Sequence, residues 1–211
     1  MRSAADLKGG IVGVSSFGSE SDSTVTLALA RLGMRRDDVV LREYGGGMRR
    51  LEALKSGTIK GTAINEPVAS LALEAGLHPM VDLVVERIPW LFSSLVVKTA
   101  DIEARRDVLT RFLKASIAGN YLALTDEARA KAVLAREARI TDAKIIDTSY
   151  NDFKQQSPAN LAPTQAAAQN IIDQFAGLTT RHIDDYVDMR LLDALAKSGF
   201  LAEMEHRYAR R

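Results

Sequence analysis

The residues of this chain best suited to chemistry are hydroxyls. Ser15-Ser16-Phe17-Gly18-Ser19-Glu20-Ser21-Asp22 sets serines in close succession between a short apolar run, Ile11 to Ser15, and a helical pattern. A loop between the C-terminal end of a strand and the N-terminus of a helix is where open α/β sheets bind ligands. The first-turn N–H groups and the positive end of the helix dipole favour a carboxylate, a sulfonate or another anion, and Gly18 allows close approach to the backbone. Ser15, Ser16, Gly18, Ser19 and Ser21 are therefore candidate ligand contacts, with Phe17 as an apolar wall. Ser21 or Asp22 equally suits a helix cap, the commoner use of such residues. No Gly-Lys-Ser/Thr follows and no GxGxxG is present, so the loop is neither a P-loop nor a dinucleotide fingerprint.

Two further loops fall at equivalent points. Gly45-Gly46-Gly47 costs backbone entropy that a tight turn or a ligand contact must offset, which makes Gly46 a candidate contact. Arg49 and Arg50 follow; either could neutralise an anion, although solvated charge is the usual role. Asn65-Glu66-Pro67 forms the third loop, where Asn65 and Glu66 can hydrogen-bond a ligand while Pro67 starts a helix. Trp90, beside Pro89 and close to Phe92, is the candidate for a second apolar wall, with core packing as the alternative for at least one of these rings.

Signs of catalysis are weak. His78, His182 and His206 lie far apart and none has metal-ligand spacing, so no metal is expected. No serine sits in a GxSxG elbow, and the 211 residues include no Cys, which excludes disulfides, thiolate metal sites and cysteine nucleophiles. No catalytic residue and no cofactor is expected. With 28 Lys and Arg against 27 Asp and Glu, the charge balance points to a small-molecule ligand and away from nucleic acid. The opening MRSAADLKGG lacks the apolar stretch of an export signal, and no later run is long enough to span a bilayer.

The elements that must hold these loops alternate between strand and helix in the first half. Ile11 to Ser15, Val39 to Tyr44, Thr58 to Ile64, Met80 to Val85 and Leu91 to Lys98 read as strands. Between them Val25, Ala28, Leu29 and Leu32 recur at helical spacing before Gly33; Met48 to Ser56 ends at Gly57, and a third helix after Pro67 ends at Gly76. After Lys98 the pattern is helical: a long stripe from Leu109 to Leu124, then shorter stripes at Ala130 to Glu137, Lys144 to Phe153, Thr164 to Phe175 and Arg190 to Lys197. These stripes predict either a bundle or a cover for a sheet the chain does not encode.

Several segments in order resemble the substrate-binding proteins of ABC transporters. They are Asp6-Leu7-Lys8-Gly9-Gly10-Ile11-Val12-Gly13-Val14, the loop from Ser15 to Ser21, Leu32-Gly33, Leu51-Glu52-Ala53-Leu54-Lys55-Ser56-Gly57, Glu66-Pro67, Leu95-Val96-Val97 and Val108 to Ala115. The group is the one similar to nitrate, taurine and aliphatic-sulfonate binding proteins and to thiamine-pyrimidine-precursor binding proteins. The resemblance implies an α/β fold, namely a type II periplasmic-binding-protein-like lobe with a five-stranded mixed sheet, followed by an all-helical C-terminal segment. It implies that residues 7–95 are the second, ligand-binding lobe and that residues 99–211 are helices of a first lobe whose strands are absent. It further implies a non-enzymatic solute-binding component that holds a small anionic or zwitterionic organic molecule in the cleft between lobes, partners an ABC permease, and works in the periplasm, although the chain as written carries no signal peptide. The alternatives are an enzyme on the same fold, resembling menaquinone-pathway dehydratases, a degenerate or sensory fragment, or a natural short form whose helices pack in a homodimer.

Overall fold

The branched run Ile11–Val14 forms β1, with Val12, Gly13 and Val14 buried. It is the middle of three parallel strands in the order β2-β1-β3, with β2 at Val40–Glu43 and β3 at Gly61–Thr62. Ile11 lies opposite Val40 and Val14 opposite Glu43, while Val12 and Gly13 lie opposite Gly61 and Thr62. Parallel strands need crossover connections. Helix α1, Glu20–Arg31, makes the first and α2, Gly47–Lys55, the second. Gly33 and Gly57 follow them at φ +71° and +74°, a conformation available to glycine without a Cβ penalty. Helix α3, Val68–Glu74, follows β3.

The structure, a computed structural model, describes residues 3–175 and 177–208. It divides into two compact units, 1–89 and 90–211. In the first, Val12 and Val14 share one face of β1 and pack with Leu7, Val25, Leu29, Met34 and Val39. Gly13 points to the opposite face by strand alternation. A Cβ there would lie 2.9 Å from Ile59 Cδ1 and 3.3 Å from Tyr44 Cδ2, so this face is closed tightly over the glycine.

The expected periplasmic-binding-protein-like lobe with a five-stranded mixed sheet does not form; the sheet is three-stranded and wholly parallel. Met80 to Val85 fails as a strand because Asp82 turns the chain. Its carboxylate accepts from the N–H groups of Val84 at 2.9 Å and Val85 at 3.1 Å, and its carbonyl accepts from Glu86 N. Arg87, at φ +54°, completes the reversal. Leu91 to Lys98 carries strand-forming residues and, among the described residues, has no neighbouring strand. The strand expected over Thr58 to Ile64 is shorter: regular pairing covers Gly61–Thr62, preceded by the Lys60 N–H, which donates to the Ile11 carbonyl at 2.7 Å, while Ile59 N–H on the outer side donates to the Ala53 carbonyl.

In the second unit all regular elements of the described residues are helical: α4 (Thr99–Ala104), α5 (Arg106–Thr125), α6 (Glu127–Ala138), α7 (Ala143–Gln156), α8 (Gln165–Ile172), α9 (Arg190–Lys197) and α10 (Phe200–Tyr208). The sequence pattern predicted α5 to α9 but passed over α4 and α10. Asp126, Asp142 and Thr164 cap α6, α7 and α8 by accepting first-turn N–H groups. The apolar stripes face one another: Ile117 and Tyr121 of α5 meet Leu195 of α9 and Met204 of α10. Buried Asn120 fastens the connection after α7 by donating to the carbonyls of Pro158 and Ala159 and accepting from Ser157 Oγ at 2.8 Å. Among the described residues, no helix is long and apolar enough to cross a membrane.

Ile117 is fully buried. Ile117→Ala should therefore destabilise the protein by about 2–5 kcal/mol, as core truncations of this size do. Urea unfolding followed by circular dichroism will read the loss.

Candidate functional site

Because the sheet is parallel, the loops that leave its strands at their C-terminal ends gather on one edge. The loop after β1 is built on a hydroxyl cluster. Ser15 Oγ donates to Ser19 Oγ at 2.8 Å and lies 2.9 Å from Ser21 Oγ, while Ser19 and Ser21 hydroxyls are 3.1 Å apart. Ser21 is almost fully buried and accepts the Ser15 N–H at 2.8 Å. Ser19 is the N-cap of α1, accepting from Asp22 N–H. Capping and clustering are thus done by the same side chains. Ser16 and Phe17 are exposed, Phe17 by 58%.

The free N–H groups expected in this loop are largely occupied. Phe17 N–H donates to Glu43 Oε1 at 2.7 Å, and Gly18 N–H donates to Asp22 Oδ2 at 2.8 Å. Asp22 is buried and also accepts from Arg36 Nη1 at 2.7 Å. Gly18 is required for its φ of +74°; open space surrounds the position a Cβ would take. The protein's own carboxylates therefore stand where an anion was expected.

Arg50, one of two arginines for which solvated charge is the usual role and neutralising an anion the alternative, lies inside the fold. Arg50 is only 6% exposed. Its stem passes Gly13, whose added Cβ would lie 3.8 Å from Arg50 Cγ. Arg50 Nε donates to the Gly45 carbonyl at 3.1 Å, and Nη1 donates to Thr62 Oγ1 at 3.3 Å and to the Ala63 carbonyl. Thr62 Oγ1 in turn donates to the Gly13 carbonyl at 2.8 Å. One guanidinium thus joins the loops after β2 and β3 across β1. Its hydrogen-bond partners among the described residues are neutral oxygens. Burial pulls its pKa below the ordinary arginine value, and the Glu20 charge on α1 partly restores it. A signal for this existed: Gly47, Arg50, Leu51 and Leu54 share one helical stripe, which places Arg50 on the inward side.

The remaining candidates are tied to their own helices. Gly46 is exposed at the N-cap of α2, and its carbonyl accepts from Arg50 N–H. Asn65 is exposed. Glu66 turns back on α3, accepting from Ser70 Oγ at 2.8 Å and from Ser70 N–H at 3.3 Å. Trp90 falls in the second unit, where it is half-buried. Among the described residues, no group of His, Asp or Glu could hold a metal ion. The serine hydroxyls bond to one another and to backbone, which suits them to hold a polar group by hydrogen bonding.

No family model, curated protein or solved structure matches the chain.

Ser21→Ala should leave the Ser15 N–H without its partner and open the hydroxyl cluster. The expected cost is about 1–3 kcal/mol, the range for an orphaned buried donor. Chemical denaturation of Ser21→Ala beside Ser16→Ala, where the side chain is exposed, will separate this from a general effect of losing a serine.

Proposed function

We propose that the first unit binds a small organic anion or zwitterion at the C-terminal edge of its parallel sheet, as a solute receptor without catalytic activity. The observation that carries this reading is Arg50. A buried guanidinium bonded to neutral oxygens keeps much of its desolvation cost, and an anionic group brought into its field offsets that cost. The Ser15, Ser16 and Ser19 hydroxyls lie in the adjoining loop and supply neutral donors and acceptors.

The surrounding carboxylates narrow the ligand class. Glu43 and Asp22 already hold the Phe17 and Gly18 N–H groups, and Glu20 lies close enough for its charge to be felt at Arg50. A multiply charged anion such as a phosphate would meet repulsion from three acids. A monoanion, or a zwitterion whose ammonium group faces those acids, meets less. The order of motifs from Asp6 to Ala115 supports the further step that this receptor delivers its solute to an ABC permease in the periplasm.

Differential scanning fluorimetry against taurine, aliphatic sulfonates, nitrate, pyrimidines and aromatic carboxylates tests the proposal. A binding member present at a hundred times its Kd should stabilise the protein by about 2.7 kcal/mol. Arg50→Met should weaken that ligand at least about tenfold, equivalent to 1.4 kcal/mol, and Arg50→Lys, which keeps the charge and loses the fork, should fall between. A panel with no stabilising member, or equal affinity in Arg50→Met, would overturn the reading.

A further inference from the structure

The loop after β1 has a base and a tip, and different groups hold them. At the base, the Ser15 N–H donates to Ser21 Oγ at 2.8 Å within the hydroxyl cluster. The tip, Phe17-Gly18, hangs on two carboxylates: Glu43 Oε1 accepts the Phe17 N–H and Asp22 Oδ2 accepts the Gly18 N–H. Glu43 is exposed, so water can solvate its charge. Asp22 has no such outlet, because its side chain is only 9% exposed. A carboxylate so placed needs a partner, and removing that partner leaves an uncompensated charge in the interior.

The partner comes from outside the loop. Arg36 begins a single 3₁₀ turn, Arg36–Asp38, between α1 and β2, and its Nη1 donates to Asp22 Oδ1 at 2.7 Å. The same nitrogen donates to Thr26 Oγ1, and that hydroxyl donates to the Asp22 carbonyl at 3.0 Å. The guanidinium is thus fixed against two successive turns of α1. One Asp22 oxygen takes the cation and the other takes Gly18, so charge and geometry are set together. With Arg36 in place the charge of Asp22 is offset. Without it, the carboxylate opposes an arriving anion and gains by turning towards water, which releases the Gly18 N–H. The Arg36 side chain is itself 40% exposed, so its exchange removes little packing.

We infer that Arg36 is a positioning residue of the anion site: through Asp22 it holds the Gly18 tip of the serine loop in place and offsets the charge of a buried acid. The inference rests on the ligand reading above and adds to it a determinant that lies outside the three loops.

Methanesulfonate, a singly charged sulfonate, is the probe, titrated calorimetrically into the full chain. Arg36→Met should weaken it about tenfold, within the range for a residue that acts through another. Arg36→Lys keeps the cation and should retain most of the affinity. Arg36→Gln, a neutral donor, should show a smaller loss and stands in where Arg36→Met does not fold. The deciding variant joins Arg36→Met to Asp22→Asn, which leaves no uncompensated charge while the amide oxygen still accepts from Gly18. It should recover most of the lost affinity. Without probe, hydrogen exchange in Arg36→Met should quicken at the Gly18 N–H and stay unchanged at the Ser15 N–H, whose partner is Ser21. Equal affinity in the parent and Arg36→Met, a double variant no better than the single one, or exchange that rises equally at Ser15 and Gly18 overturns the inference and leaves the ligand reading standing. A parent chain with no affinity for methanesulfonate overturns the inference too, and the wider ligand panel with Arg50→Met then decides whether the ligand reading falls with it.

Discussion

Parallel pairing of β1 with both neighbours is the constraint from which the first unit follows. Each strand must be re-entered from the same end, so a helix spans every connection and the strand exits collect on one edge. That edge has to satisfy many backbone groups in little space. The protein does so with short polar side chains and two carboxylates after β1, and with a single guanidinium after β2 and β3. The same economy bears on Gly13: a Cβ there would press on Ile59 Cδ1 at 2.9 Å and Tyr44 Cδ2 at 3.3 Å, while Arg50 Cγ at 3.8 Å would remain at ordinary contact distance.

The second unit rests on a different principle. Its helices have no sheet to cover and bury their stripes against one another, around Ile117, Leu195 and Met204. Polar groups inside it serve connections: Asn120 holds the segment after α7, and the Tyr150 hydroxyl donates to the Ala123 carbonyl at 3.1 Å. Lys131 of α6 pairs with Glu127 in its own helix and with Asp147 of α7 at the rim of this packing, where salt screening keeps such pairs weak.

Much of the local structure is written in the sequence. The apolar run at Ile11, the helical spacing of Val25 and Leu29 and the glycines at 33, 57 and 76 mark elements whose causes are local. The sheet as a whole is not legible in this way, because a strand needs a neighbour and composition does not supply one. Leu91 to Lys98 has strand composition and no ladder, and Met80 to Val85 is overridden by one aspartate side chain. At the site, the serine loop is legible as a cluster; that Glu43, 26 residues from Phe17, fills its amide is a tertiary fact. Arg50 is the instructive miss, since its place in the stripe of α2 predicts burial while its charge argues for solvent, and the stripe prevails.

The occupied amides of the serine loop bear on kinetics. A loop whose N–H groups already rest on Glu43, Asp22 and Ser21 has little freedom left to lose when a ligand arrives. Under the proposed ligand-binding reading, the entropic toll of ordering it was met during folding, so capture would be an encounter with a rigid surface whose speed is set by diffusion and local charge. Residence time then falls to whatever strength the ligand's own contacts provide.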